Sequence, residues 1–378
     1  MSKTNIPERI KIRLWGKAGG RCEYEGCNER LWLDELTKAE FNTAYIAHIV
    51  ADSPDGPRGD SDFSEKLKEN ISNLMLMCDK HHRLIDRDDV DGHSVDRLQQ
   101  MKAAHESRID LVTDISPDKQ SHILLYGANI GTQGAPLSYR EAANGMLPNH
   151  WPASMQPIEL SLKNSSFEDS SDFYWKVEER HLKDMVAQIR QRIKSGEISH
   201  LSIFSLAPQP LLILLGSLLS DIPAAEVYQR KKEPSSWTWE DQPSTWEYVI
   251  ERPENTLSKT PALVFALSAT VVDERITSIL GTNAEIWKVT IPKPHNDFVR
   301  SRVQTYEFRR SIRRLLNEIK AKHGEHSTIH VFPAMPVSLA VDFGRIHNLK
   351  SDLPLIVYDE NKSKGGFVKV ITFGGSTS

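Results

Sequence analysis

The sequence has few of the features that mark secreted or membrane proteins. It contains only three cysteines among 378 residues, and three thiols do not form the framework of a disulfide-stabilised secreted domain. Its longest apolar run, residues 211–219, is too short to cross a bilayer and predicts a buried strand or helix. The N-terminus carries no apolar leader segment. We therefore expect a cytoplasmic protein with no membrane partner.

The sequence also lacks an excess of positive charge. The net charge is −4, and residues 1–115 carry more acidic than basic side chains. Such a chain does not bind nucleic acid through a general positive field. Any contact with DNA therefore requires a local basic patch or a metal ion.

The length and the change in texture along the chain predict two domains. With 39% hydrophobic and 26% charged residues, the composition is that of a globular protein. Residues 1–115 are rich in Cys, His, Asp and Lys and end in a helical pattern over 94–112. Residues 116–121 form a polar linker. Residues 122–378 alternate apolar β-type runs with amphipathic helices, which predicts an α/β domain with a parallel sheet.

The second domain contains an internal repeat of one strand–helix unit. Helical stretches at 178–196 and 300–324 both end in Gly, and apolar strands follow at 200–208 and 328–336. Five residue pairs match at one constant offset: Gly196 with Gly324, Phe204 with Phe332, Pro208 with Pro336, Leu211 with Leu339, and Gly216 with Gly344. We expect two similar units, at about 122–255 and 256–378, that form a pseudo-dimer within one chain.

The cysteines and one histidine have the spacing of a metal site. Cys22 and Cys27 bracket four residues, and Cys78 and His81 form a C-x-x-H pair. Together they make a Cys₃His set, which is a common structural zinc site. The alternative is three buried cysteines that pack as small hydrophobes, but the paired spacing favours zinc.

A second set of polar residues surrounds the zinc motif. His82 follows His81 directly, and adjacent side chains point in different directions, so the two rings are poorly placed to share one ion. Upstream, His48 interrupts an apolar run at 45–50, and Asn73 precedes the run that leads to Cys78. Alone, His48 fits a structural role and Asn73 fits a helix cap. In order they read H…N…H.

This H…N…H order around a zinc motif resembles the HNH endonucleases. The resemblance implies an α+β domain with a ββα-metal fold, in which a β-hairpin carries His48 and a helix carries His82. It implies that His48 is the general base for a water, with His82 and Asn73 at a catalytic Mg²⁺ or similar divalent ion. Asn73 either orients His48 or gives an oxygen to the ion. The substrate is then double-stranded DNA.

Two positions depart from that family pattern. The family's fourth zinc ligand is usually Cys, whereas this sequence has His81, which still ligates zinc. The residue before the first His is often Asp or His, and here it is Ala47. The catalytic ion therefore has fewer protein ligands or takes one from Asp86 or Asp34.

The repeated unit that follows resembles the SAVED sensor domains, which consist of two fused CARF-like, Rossmann-like units and bind cyclic oligonucleotides. The whole chain then resembles the HNH–SAVED effectors of bacterial CBASS anti-phage systems. This implies a cyclic di- or trinucleotide activator and assembly into a homo-oligomer, a dimer or larger, on activation. The stretch 78–109 also resembles the segment that follows the HNH core in those effectors.

Candidate ligand contacts follow from placement at strand ends and from residue chemistry. Ligands bind such sheets at the carboxyl ends of strands, bases stack on aromatic rings, and phosphates need cationic donors. The alternative is that the loop Trp residues cap a core and the Lys residues sit in solvent. The candidates are Ser205, Gln209, Arg230, Lys231, Trp237, Trp239, Pro336, Ser338, Lys362 and Lys364.

Two other functions remain open from the sequence. In one, the chain is a modification-dependent HNH restriction endonuclease whose C-terminal domain reads DNA itself. In the other, the zinc motif belongs to a non-enzymatic module that only binds nucleic acid.

Overall fold

The chain divides into two units, Met1–Ser116 and Pro117–Ser378. The structure is a computed structural model that describes all residues except 1–3, 132, 163–166, 222, 242–245, 254–259, 362–363 and 375–378. Among the described residues, no helix combines the length and apolar character needed to span a bilayer.

The first unit is built on a short antiparallel hairpin followed by a helix. Strand β1 pairs with β2 so that His48 lies opposite Leu74, and α3 begins directly after β2, with Cys78 as its N-cap. The core of the unit includes Leu14, Leu31 and Leu98. The elements are α1 (Glu8–Ala18), β1 (Tyr45–His48), α2 (Ser64–Leu67), β2 (Leu74–Met77), α3 (Asp79–Arg83) and α4 (Val95–Thr113).

The second unit is a mixed α/β structure with two sheets. The first sheet has the order β4-β3-β6-β7, with β5 also paired to β3, and all its pairs are parallel. Its elements are β3 (Gln120–Gly127), α5 (Tyr139–Gly145), β4 (Trp151–Pro152), β5 (Ile158–Glu159), α6 (Asp172–Lys194), β6 (His200–Leu206), α7 (Gln209–Leu219) and β7 (Ala224–Val227).

The second sheet has the order β13-β12-β11-β9-β10-β8. Its four inner strands are parallel, and the two edge strands, β8 and β13, are antiparallel to their neighbours. Its elements are β8 (Val249–Glu251), β9 (Pro261–Ala266), α8 (Asp273–Leu280), β10 (Glu285–Thr290), α9 (Arg302–His323), β11 (Ile329–Ala334), α10 (Val337–Ile346), β12 (Leu355–Asn361) and β13 (Gly366–Phe373).

Two predicted boundaries in this unit move towards the N-terminus. Strand β3 begins at Gln120, inside the predicted linker, because Gln120 and Ser121 already pair with β4. Helix α6 begins at Asp172 rather than 178, because the Ser171 hydroxyl accepts a hydrogen bond from the backbone N–H of Phe173 and caps the helix. The apolar run at 211–219 lies in the helix α7, which is apolar on nearly every face and almost entirely buried.

The two sheets meet through α7 and α10, which cross at a pair of glycines. A Cβ on Gly216 would lie 2.0 Å from the carbonyl oxygen of Val341, and a Cβ on Gly344 would lie 2.0 Å from that of Ile213. Each glycine therefore meets the carbonyl three residues before the other glycine. This reciprocity is what a two-fold relation between the two halves produces, and it explains why both positions of the sequence repeat are Gly.

We expect Gly216→Ala to lower the free energy of unfolding of the second unit by roughly 1–3 kcal/mol or more, because the added methyl forces two packed helices apart. Urea unfolding measures the change. The control is Gly366→Ala, where a Cβ meets nothing within 4 Å. If both variants were equally stable, the two helices would be able to move apart with no loss of folding free energy.

Candidate functional site

The three cysteines and His81 lie together. Their ligand atoms all lie within 4.8 Å of one another. Cys22 and Cys27 sit on a tight turn, in which the Cys27 N–H donates to the Tyr24 carbonyl at 3.0 Å. Cys78 caps α3 and His81 lies in its first turn, which places the His81 Nδ1 3.2 Å from the Cys78 Sγ. The donor set and its clustering fit a structural zinc ion.

A stack of rings holds His81 in this orientation. The Tyr24 ring lies parallel to the His81 ring, with 4.1 Å between their centroids. The His93 Nδ1 lies 2.6 Å from the Asp89 carbonyl, which only accepts, so Nδ1 carries the proton. The His93 Nε2 then accepts from the Tyr24 hydroxyl at 3.0 Å. These contacts hold His81 from outside the cluster, as the partners of metal ligands commonly do.

The cluster also favours a thiolate. A hydrogen bond from Cys22 lowers the pKa of the Cys78 thiol to about 4, against the opposing effect of burial. Thiolate is the form of cysteine that binds zinc.

His48 ends β1 with its ring buried and its proton position fixed. The His48 Nε2 lies 2.9 Å from the Lys68 carbonyl oxygen. A carbonyl only accepts, so Nε2 donates and the lone pair is on Nδ1. In the neutral ring, Nδ1 is therefore the nitrogen that can accept a proton.

Asn73 is tied to the backbone beside His48. Its amide oxygen accepts from the Val50 N–H at 2.8 Å, and its amide nitrogen donates to the Val50 carbonyl at 2.8 Å. The same nitrogen lies 3.3 Å from the Leu67 carbonyl. Of the two roles open from the sequence, these bonds favour positioning of the His48 strand, because the oxygen that an ion would take already has a donor.

His82 faces away from the sulfur cluster. Its Nε2 lies 3.3 Å from the Asp86 Oδ2, and its ring stacks on Tyr45 of β1 with 5.0 Å between centroids. Burial lowers the pKa of His82, although Asp86 opposes this effect. The ring is therefore neutral at pH 7, which is the form that binds a metal ion.

Arg58 joins the His48 strand to the residues around His82. It donates from Nε to the Ile49 carbonyl at 2.7 Å, from Nη1 to the Ile85 carbonyl at 2.6 Å and from Nη2 to Asp86 at 2.7 Å. The guanidinium is almost fully buried, with 7% of the side chain exposed. Arg58 lies in a loop, and no sequence pattern around it points to this role.

The neighbourhood of His82 offers two candidate ligands for a catalytic ion. Across the described part of the chain, the Cys₃His cluster is the one group of three or more His, Cys, Asp or Glu ligands. Mg²⁺ commonly takes one or two carboxylates and completes its shell with water and phosphate oxygens. Two ligands at right angles around Mg²⁺ lie about 3 Å apart, which fits His82 and Asp86. Asp34 does not join them in the structure, since its carboxylate accepts from the Thr37 N–H and hydroxyl, each at 2.7 Å.

In the second unit, two predicted contact residues bridge the halves of the repeat. The Gln209 side-chain oxygen accepts from the Met335 N–H at 3.1 Å. The Ser338 hydroxyl donates to Gln229 at 2.8 Å, and both side chains are buried. The Ser205 hydroxyl is buried and has no hydrogen-bond partner in the described structure. Pro336 is the N-cap of α10.

Trp237 is buried. Only 2% of it is exposed, and its ring packs edge-on against Phe204, with 5.2 Å between centroids. It caps an apolar core beside β6, so stacking on a base would require the side chain to leave this core. Trp239 is partly buried, and its Nε1 donates to Glu226 at 2.6 Å.

The predicted cationic contacts have protein partners. Arg230 donates to Glu141 at 2.6 Å and lies over the Trp237 ring. Lys231 is buried and pairs with Glu240 at 3.2 Å. Lys364 is exposed and pairs with Asp172 at 2.9 Å, and Lys362 lies outside the described residues. Contact of these residues with a phosphate would require exchange of the pairs.

The comparison with protein families concerns the second unit. Residues 182–373 match the model of a family described as SAVED, the SMODS-associated and fused to various effectors sensor domain. No curated protein matches the sequence.

Solved structures of SAVED/CARF-domain containing receptors resemble the chain at low identity. The Cap4 receptor of Acinetobacter baumannii gives a TM-score of 0.43 at 13% identity, covering 83% of this chain and 65% of that chain. The same receptor with the cyclic trinucleotide 3′3′3′-cAAA gives 0.44 at 14% identity, covering 83% and 67%. The Moraxella osloensis Cap4 receptor gives 0.37 at 11% identity, covering 83% and 70%. This chain thus spans just under two thirds of the first receptor's length.

Proposed function

Because this chain belongs to the SAVED sensor-domain family, we propose that it is a ligand-gated effector: a metal-dependent HNH-type endonuclease that cuts double-stranded DNA when its second unit binds a cyclic di- or trinucleotide. In this proposal it acts in anti-phage defence of the CBASS type. It assembles into a homo-oligomer when the ligand binds.

One observation carries the nuclease assignment. His81 and His82 are adjacent, yet the His81 ring faces the cysteines and the His82 ring faces Asp86. The first histidine completes a scaffold site, and the second is left for a separate ion next to the strand that ends in His48. A simple zinc-binding module has no need of this second arrangement.

The residues of the chain then have distinct tasks. The His48 Nδ1 takes the proton of the attacking water, and its hydrogen bond to Lys68 fixes the ring. Asn73 and Arg58 position the strand that ends at His48. His82 and Asp86 would hold the divalent ion, which would supply positive charge to offset the charge that develops on the phosphate and the leaving oxygen.

A plasmid-cleavage assay with Mg²⁺ and a panel of cyclic di- and trinucleotides, including 3′3′3′-cAAA, tests the proposal. We expect cleavage with one member of the panel and none without ligand. Sedimentation of the same samples measures assembly. Cleavage of methylated DNA with no nucleotide, together with no response to the panel, would instead favour the modification-dependent enzyme.

The proposed ion site predicts a specific effect of Asp86→Asn. The amide oxygen can still accept from Arg58, so the loop stays anchored, but the ion loses its one charged protein ligand. We expect the Mg²⁺ concentration for half-maximal cleavage to rise by about tenfold or more. Asp34→Asn is the matched control and should leave the Mg²⁺ requirement unchanged. Identical Mg²⁺ titrations for both variants would exclude Asp86 as a ligand.

A further inference from the structure

A cavity lies at the ends of α7 and α10 where both helices finish. Its volume is about 740 Å³, and its walls come from the C-terminal ends of α6, α7 and α10 and from the segments that follow α7 and α10. Pockets for small organic ligands usually measure about 300–1,000 Å³. Gln209 and Ser338 belong to the first turns of the same two helices, so the cavity is at the opposite end from the predicted sensor contacts.

The walls of this cavity are mainly basic and aliphatic. The basic residues are Arg190, Lys194, Arg345 and Lys350, the acidic residue is Asp221, and Ile193 is among the aliphatic ones. The basic excess favours an anionic ligand, and the aliphatic surface favours one with an apolar or aromatic body.

Three residues that line the cavity carry a buried polar atom without a hydrogen-bond partner among the described residues. These atoms are the Ser217 Oγ, the Arg345 Nη1 and the His347 Nδ1. Buried polar groups are almost always paired. Cations often lie near the carboxyl ends of helices, and that accounts for the basic residues, but it does not account for these unpaired atoms.

The unpaired atoms specify what a ligand must offer. The His347 Nε2 donates to the Leu353 carbonyl at 2.9 Å, so Nδ1 is an acceptor in the neutral ring. Burial lowers the pKa of His347 and keeps the ring neutral. The Arg345 Nη1 is a donor. A matching ligand therefore combines an anionic oxygen for Arg345 with an O–H or N–H donor for His347.

We propose that this cavity is a second ligand site, which takes a phosphorylated organic molecule of nucleotide size. The phosphate faces the basic residues, a hydroxyl or amino group donates to His347, and the body of the molecule lies on the aliphatic wall. This goes beyond the proposed function, and its test involves no DNA cleavage.

The test is isothermal titration of the full-length protein with adenosine 5′-monophosphate, adenosine and inorganic phosphate. We expect the nucleotide to bind more tightly than either fragment. The double variant Arg190→Gln with Lys194→Gln should weaken nucleotide binding by about tenfold or more, since each lost side chain removes a charge-assisted contact. The matched control is Arg180→Gln with Lys183→Gln on the same helix, where both residues pair with neighbouring carboxylates outside the cavity. It should bind as the unchanged protein does.

Repeating the titration with saturating 3′3′3′-cAAA separates this cavity from the sensor pocket, and nucleotide binding should persist. The proposal is overturned if no probe binds, if the Arg190 and Lys194 double variant binds as tightly as its control, or if the cyclic trinucleotide displaces the nucleotide. Equal affinity for inorganic phosphate and the nucleotide would overturn the ligand class, because the aliphatic wall would then contribute nothing.

Discussion

Replacing His48 with Ala should abolish ligand-dependent DNA cleavage. A positioned general base contributes typically about 10²–10⁴-fold to a rate, and His48 is the residue whose basic nitrogen, Nδ1, is defined by the hydrogen bond from Nε2 to Lys68. Alanine cannot take the proton of water. We expect the turnover rate to fall, with little change in the affinity for the activating ligand, since the sensor lies in the other unit. Initial rates of plasmid nicking at saturating ligand and Mg²⁺ measure it.

Two controls separate catalysis from folding. Zinc content per chain should match that of the unchanged protein, because His48 is not part of the Cys₃His cluster. The variant should still unfold cooperatively, at a lower temperature, because a buried ring and its hydrogen bond to Lys68 are lost. His326→Ala, at an exposed position in the second unit, should leave cleavage unaffected. If the His48 variant keeps full DNA-cleavage activity with intact zinc, the cleavage is not of the HNH type. The zinc motif would then be better explained as part of a module that only binds nucleic acid.

The cysteine cluster could be predicted from the sequence because the spacing within each ligand pair is local. The C-x₄-C and C-x-x-H pairs each fit one tight turn, and only the meeting of the two turns needs the fold. The repeat was readable for a related reason. Gly216 and Gly344 meet in one reciprocal contact that leaves no room for a side chain. This contact requires Gly at both positions, and they therefore appear as a matched pair at the constant offset of the repeat. The mixed α/β class follows from the alternation of apolar strands and amphipathic helices.

What the sequence could not show is the partner of each polar side chain. Arg58 is 28 positions from Asp86, and nothing local marks its guanidinium as buried. Trp237 looked like an exposed loop residue, but the close approach of Gly145 to its Cβ places it in a core. Arg230 pairs with Glu141 and Lys231 pairs with Glu240, and no local pattern in the sequence marks either pair. Charge and aromaticity are visible in a sequence, whereas burial and pairing depend on residues far along the chain.

Loss of zinc should unfold the first unit while the second stays folded. The secondary structure around the site is too short to stand alone: β1 and β2 have four residues each, and α3 has five before it continues as a five-residue π-helix, Leu84–Asp88. A single hairpin and a helix of that length are marginal in water. Structural zinc contributes about 10–16 kcal/mol of apparent binding free energy in zinc-finger peptides, far more than such a hairpin supplies. We therefore expect Cys78→Ser to lose zinc, the hairpin and cleavage together.

Hydrogen exchange makes this expectation specific. In the Cys78 variant, protection should be lost at the amides of 45–48 and 74–77 and kept in β9 and β11, which lie in the core of the other unit. Asp79→Asn, one position along and outside the cluster, is the matched control and should keep both zinc and protection. Chelation of the unchanged protein, followed by restoration of Mg²⁺ alone, should reproduce the variant. Full protection of the hairpin in a zinc-free chain would mean that apolar packing holds His48 and His82 in place. The positions of the two adjacent histidines would then not depend on a zinc ion.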